Sequence, residues 1–134
     1  MILAEIGYGR GMKFSQIEDA GTNLIEAYDA SHIRINGRAY VAGLAVSADQ
    51  VAVDWGPSEG GDLRAEHIDA LLAWQPQVVI IGTGERQRFP DPAVYFALLE
   101  RGIGVEIMDT GAACRTYNIL VSEGRRVVAG LMLT

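Results

Sequence analysis

Hydrophobic positions along this chain change their spacing across the stretch Gly56 to Gly61, GPSEGG. Before it the apolar residues come in short runs of strand type, Leu24 to Tyr28 and Ile33 to Ile35. Asn36-Gly37 follows the second run, and a two-residue type I′ turn needs positive φ at both positions. A hairpin is therefore predicted in which Ile33 to Ile35 pairs with Arg38 to Val46, with Gly43 as a bulge. Val51 to Trp55 alternates, which places Val51, Val53 and Trp55 on one face of a strand. Residues 1 to 23 are broken by Gly7, Gly9, Gly11 and Gly21 and read as loop with one or two short edge strands.

After Gly61 the period becomes helical and strand in turn. Asp62 caps a predicted helix from Leu63 to about Trp74, with Ile68, Leu71 and Leu72 inward and Gln75-Pro76 stopping it. Val78 to Ile81 is an unbroken aliphatic run, the mark of a strand buried on both faces. Asp91 and Pro92 open a second helix, Tyr95, Leu98 and Leu99 form its stripe, and Gly102 ends it. Val105 to Met108 is the next strand. A third helix runs from Gly111 to about Glu123, with Ala113, Tyr117, Leu120 and Val121 at helical spacing, and Val127 to Leu133 is the last strand. Alternation of this kind predicts an α/β fold with a mostly parallel central sheet, helices on its faces and a small N-terminal antiparallel β layer.

Length fits this reading, because 134 residues make one domain able to bury roughly two-thirds of its unfolded surface. The expected organisation is a single domain over 1–134, β-rich over 1–55 and alternating over 62–134. A net charge of -6 argues against nucleic acid, whose phosphates need clustered cations. One cysteine, Cys114, excludes an internal disulfide, and His32 and His67 belong to no ligand-spaced cluster, so no metal is expected. No run approaches the ~18 apolar residues of a membrane span, and the first residues lack a signal-peptide pattern. A cytoplasmic protein is the expectation.

Chemistry has two candidate places. Gly82-Thr83-Gly84 follows a central strand, where open α/β sheets bind ligands, but it lacks the Lys of a P-loop and the third glycine of a dinucleotide fingerprint. Its amides could cradle an anion, helped by Arg86 or Arg88; equally, the glycines could be a tight turn passing a neighbouring strand. The second place is Met108 to Asn118, MDTGAACRTYN, where Thr110, Gly111 and Arg115 sit at a helix start whose small residues suit either a bound anion or close packing against the Gly-Thr-Gly loop. Cys114 lies just beyond the first turn with no histidine nearby in sequence, and reads as a buried inert thiol. His32 and His67 read as rim histidines, and Asp62 and Asp91 as caps. No catalytic set and no cofactor motif emerges.

Gly7 to Gly9, the Gly-Thr-Gly after VVII, Phe89-Pro90 and above all GIGVEIMDTGAACRTYNILVSEGRRVVAGL from Gly102 to Leu131 resemble the small single-domain family that includes mitochondrial respiratory complex I assembly factor 3 and the adipogenesis-associated domain protein. The likeness spans nearly the whole chain. It implies a three-layer α/β domain with an added β layer, no established catalytic residues, and a role helping to assemble a membrane complex. A protein partner in a membrane-associated complex is thus expected. The other open reading is an enzyme or sensor for a small anionic metabolite held between 82–88 and 110–115.

Overall fold

The computed structural model describes residues 21–58 and 61–133, so the Gly7 to Gly9 stretch and the edge strands expected before residue 21 lie outside the described residues. Among the described residues two sheets and three α-helices form in the order β1 (Ile25–Asp29), β2 (His32–Ile35), β3 (Arg38–Tyr40), β4 (Leu44–Val46), β5 (Val51–Val53), α1 (Ala65–Leu72), β6 (Val78–Thr83), α2 (Phe96–Glu100), β7 (Gly104–Met108), α3 (Thr110–Ser122) and β8 (Val127–Met132). A single 3-10 turn, Pro92–Val94, precedes α2.

The first sheet is the antiparallel set β1-β2-β3. Its hairpin turns at Asn36 and Gly37, both at positive φ, 51° and 80°, as the Asn-Gly pair predicts. The hairpin is shorter than expected. Ile33 pairs with Tyr40 and the ladder ends there. Leu44–Val46 leaves to join the second sheet, so Gly43 is not a hairpin bulge but a crossing point, where its carbonyl accepts the Trp55 amide at 3.0 Å.

The second sheet has the order β5-β4-β8-β6-β7. β6 pairs in parallel with both β7 and β8, whereas β4 is antiparallel to both β8 and β5. The sheet is therefore mixed. β5 and β8, each antiparallel to β4, share the direction of β6 and β7, so the expected parallel set exists with one reversed strand inserted into it. A three-residue strand carries too little periodicity to announce such a long-range pairing, but Leu44, Ala45 and Val46 are all buried, as a central position requires.

Both faces of this sheet are covered. On one, α3 and the first sheet pack through Ala113, Cys114, Tyr117 and Val121 with Ile25, Ile33 and Ile35 onto Val78, Ile80, Ala129 and Leu131. On the other, Ile68 and Leu71 of α1 and Leu98 of α2 pack with Trp55 onto Ala45, Val79, Ile81 and Val128. Alternate residues of β6 thus serve the two cores, which is why the run VVIIGT is buried throughout.

Trp55 sits on the second face, not with Val51 and Val53. Asp54 at φ 58° breaks the strand period and turns the indole away, leaving Val53 57% exposed. The ring lies over Gly130, where a Cβ would run into it, and Nε1 donates to the His67 carbonyl at 2.9 Å. Helix α1 is shorter than predicted and is not capped by Asp62. Its N-cap is Arg64, whose amide donates to His67 Nδ1 at 2.9 Å. Asp91 does cap, accepting from Ala93 N–H at 2.9 Å, and Gly102 ends α2 at φ 73°. On α2 the stripe narrows to Leu98, with Leu99 51% exposed.

Candidate functional site

β6 and β7 are hydrogen-bonded neighbours, and Gly82 lies opposite Met108. Their loops therefore meet at the carboxyl end of the sheet, as consecutive strands of a crossover imply. Asp109 caps α3, its Oδ1 accepting from Ala112 N–H at 2.8 Å, so Thr110 is the first helical residue and not the cap.

Thr110 joins the two loops. Its backbone N–H donates to the Gly84 carbonyl at 2.8 Å, and its Oγ1 accepts the Gly84 N–H at 2.8 Å while donating to the Met132 carbonyl at 2.7 Å. An orphan helix N–H, a turn amide and a strand-end carbonyl are satisfied by one buried residue. Gly84 holds φ 94°, a conformation that favours glycine. A Cβ on Gly82 would stand 2.9 Å from the Thr110 Cα, so only glycine admits the helix this close.

Thr83 fixes the rest of the loop. Its Oγ1 donates to the Arg86 carbonyl at 2.5 Å, lies 3.2 Å from the Met108 carbonyl, and accepts the Arg88 N–H at 3.0 Å. Gln87 Nε2 donates to the Ile107 carbonyl on edge strand β7 at 2.9 Å. With its base held in this way, the loop turns Glu85, Arg86, Gln87, Arg88 and Phe89 outward, and Phe89 is 69% exposed.

Of the residues singled out in the sequence, Gly82, Thr83, Gly84 and Thr110 come together in a closed junction whose polar groups face each other. Gly111 packs on Tyr28, whose ring a Cβ there would approach to 3.3 Å. Arg86, Arg88 and Arg115 are exposed, and Arg115 sits on the outer side of α3 beside the core residue Cys114. Tyr28, half-buried, has its hydroxyl pKa raised by burial and by the nearby Cys114, Glu85 and Asp109. Burial pushes the Cys114 thiol up to about 12 against a weaker opposing pull from Arg115, so it is protonated at neutral pH. His67 belongs to the opposite face, in edge contact with Trp55 at 6.1 Å, and offers Cys114 no base. Among the described residues no group of three His, Cys, Asp or Glu is placed to hold a metal.

The last residues of MDTGAACRTYN work on the first sheet. Tyr117 donates its hydroxyl to the Asn23 carbonyl at 2.7 Å, and Asn118 accepts from Ile25 N–H at 2.9 Å while donating to the Ile25 carbonyl at 2.8 Å. Asn118 thus covers part of the free edge of β1 as a neighbouring strand would.

A cleft of about 290 Å³ opens beside the junction, on the sheet face that carries α1. Thr83 and Met132, at the ends of β6 and β8, lie at its base with Leu63 and Val94, and Asp62, Asp91, Arg88 and Phe89 stand around it. Arg88 and Asp62 form a loose ion pair at 3.7 Å, both side chains more than half exposed. Sequence reasoning placed Arg88 near the site but missed the cleft, because its walls come from Gly61 to Leu63, the 3-10 turn and β8, which only the strand order brings together.

With this geometry in view, relatives are informative. The family model described as "Protein of unknown function (DUF498/DUF598)" matches residues 25–132. A "13 kDa major membrane protein" of Francisella tularensis is 38% identical over 65 residues, covering 48% of this chain and 53% of that protein. NADH dehydrogenase (ubiquinone) 1 alpha subcomplex assembly factor 3 of Bos taurus is 34% identical over 110 residues, 81% of this chain and 59% of that protein. The chain thus spans between half and two-thirds of the length of these two relatives. A solution NMR structure from Bordetella pertussis, called a Mth938-like domain, superposes with a TM-score of 0.77 at 32% identity over 91% of this chain and 92% of that one. Among the described residues no helix is long and apolar enough to cross a membrane.

Proposed function

The chain belongs to the DUF498/DUF598 family of proteins of unknown function, and from that premise we propose that it is a non-catalytic interaction module that helps to assemble a membrane-associated complex. In this reading residues 1–134 form one three-layer α/β domain acting from the cytoplasm. Relatives named as assembly factors support the role, and they share most of this chain.

The observation that carries the reading is the loop after β6. Its base is closed by Thr83 and Thr110, while Arg86, Arg88 and Phe89 project from it. Arginine and aromatic side chains held on a rigid base are the composition of protein-interface hot spots, and a pre-ordered loop loses less entropy on binding. A small anion cradled between 82–88 and 110–115 would instead need the Gly84 amide and the Thr110 hydroxyl, both of which already have partners in the chain.

Affinity capture from the native cell tests the proposal. Phe89→Ala and Arg88→Ala should each lower partner recovery about tenfold, the size of a modest hot spot, with the melting curve unchanged. Undiminished recovery by both variants removes this surface. Capture of no partner, with wild-type growth and respiration after deletion, removes the assembly role. A saturable rise in melting temperature with phosphate or carboxylate metabolites, lost in Arg115→Ala, would favour the small-anion reading instead.

A further inference from the structure

We infer that the cleft beside the loop receives a basic protein segment, an apolar side chain seated inside with an arginine or lysine next to it at the rim. This rests on the interaction reading and names the chemistry of its partner. Three features of the cleft point to it.

First, its size is at the lower bound of small-molecule pockets, about 300 Å³, which suits one or two side chains better than a cofactor. Second, its base is apolar, from Leu63, Val94 and Met132, and its one buried side-chain hydroxyl, on Thr83, is occupied by Arg86 and Arg88 backbone groups. Third, the rim is acidic and aromatic. Among the described residues that line it, Asp62 and Asp91 stand against Arg88; the Asp62 side chain is 87% exposed in a loose 3.7 Å pair, and Asp91 also caps the 3-10 turn. Phe89 adds an exposed ring face, which attracts a guanidinium or ammonium within about 6 Å. Carboxylates and a ring face both favour a cation, in a protein whose net charge is -6.

The probe is N-acetyl-leucyl-arginine amide, titrated into the ¹⁵N-labelled full chain, with N-acetyl-leucyl-glutamate amide as the charge-reversed control. Saturable shifts are expected at the Leu63, Thr83, Phe89, Val94 and Met132 amides, with a Kd on the order of 1 mM for so small a ligand. Asp62→Asn should weaken binding about two- to fivefold, the range of an exposed ion pair, and Asp62→Lys should transfer the preference to the glutamate probe. Both variants change an exposed side chain outside α1 and should fold. Equal binding of the two probes, shifts outside the cleft, or no shift overturns the inference. Should the probe fail while Phe89→Ala still releases the captured partner, the interaction surface stands and the cleft is not its seat.

Discussion

Replacing Thr110 by valine tests the junction most directly, because the exchange keeps shape and branching and removes only the hydroxyl. That hydroxyl serves two groups, accepting from Gly84 N–H at 2.8 Å and donating to the Met132 carbonyl at 2.7 Å, on a residue with no exposed surface. Gly84 is buried, so its amide would lose its partner without gaining water, a loss of about 1–3 kcal/mol. Met132 is half-buried and its carbonyl can be partly rehydrated, which adds a smaller amount. We therefore expect about 2–4 kcal/mol of destabilisation. Thr110→Ser supplies the control: it keeps both hydrogen bonds and removes one buried methyl, for about 1 kcal/mol. Urea unfolding followed by far-UV circular dichroism measures both, and an unchanged m-value would show that the difference is one of native-state stability. If Thr110→Val is no less stable than Thr110→Ser, the hydroxyl does not hold the loop, and the closed junction reasoned from it is wrong.

The core around α3 gives three further outcomes. Tyr117→Phe leaves the Asn23 carbonyl unpaired and should lower stability by about 1–2 kcal/mol, while Asn118→Ala should also speed amide exchange at Ile25; unchanged Ile25 protection in Asn118→Ala would show that the side chain does not cover that edge. The Cys114 thiol is raised from 9.0 to about 12 by burial, so folded and unfolded chains are both protonated below pH 9 and its contribution is then intact. Between pH 9 and 12 the unfolded chain gives up the proton first, and stability falls by about 1–2 kcal/mol by mid-window, with Tyr117, also raised by burial, adding to the fall above pH 10. Denaturation midpoints against pH should flatten in Cys114→Ala over this window; an unaltered slope means that the thiol is not the titrating group.

How much of this was legible in the residues depends on whether the signal was local. VVII, the Asp91 cap, Gly102 as a helix end and Asn36-Gly37 are each written within a few residues and are where they were expected, although Asp91-Pro92 opens a 3-10 turn and α2 begins only at Phe96. Errors came where a distant partner decides. Leu44–Val46 reads as the continuation of a hairpin until β8 and β5 claim it from either side. Asp62 reads as a cap, but α1 starts later, with Arg64 at its N-cap, whose amide donates to His67 Nδ1, and Asp54 breaks the Val51 to Trp55 alternation with a left-handed turn, a conformation Asp enters more readily than most residues.

The same distinction bears on the motif that carries the family likeness. MDTGAACRTYN was open to two readings, an anion cradle or a packing device, since Asp, Thr and small residues at a helix start serve both. Most of the stretch has partners within the fold: Asp109 caps α3, Thr110 clasps Gly84 and Met132, Tyr117 and Asn118 hold β1 and the segment before it, and Cys114 fills the core between. One helix thereby joins both sheets and the loop after β6. A sequence held to such a structural task identifies a fold strongly while saying little about chemistry. On the proposed interaction reading, the outward-facing Arg86, Arg88 and Phe89 on the loop and Asp62 across the cleft set the choice of partner, and changes there should alter it while leaving the fold in place.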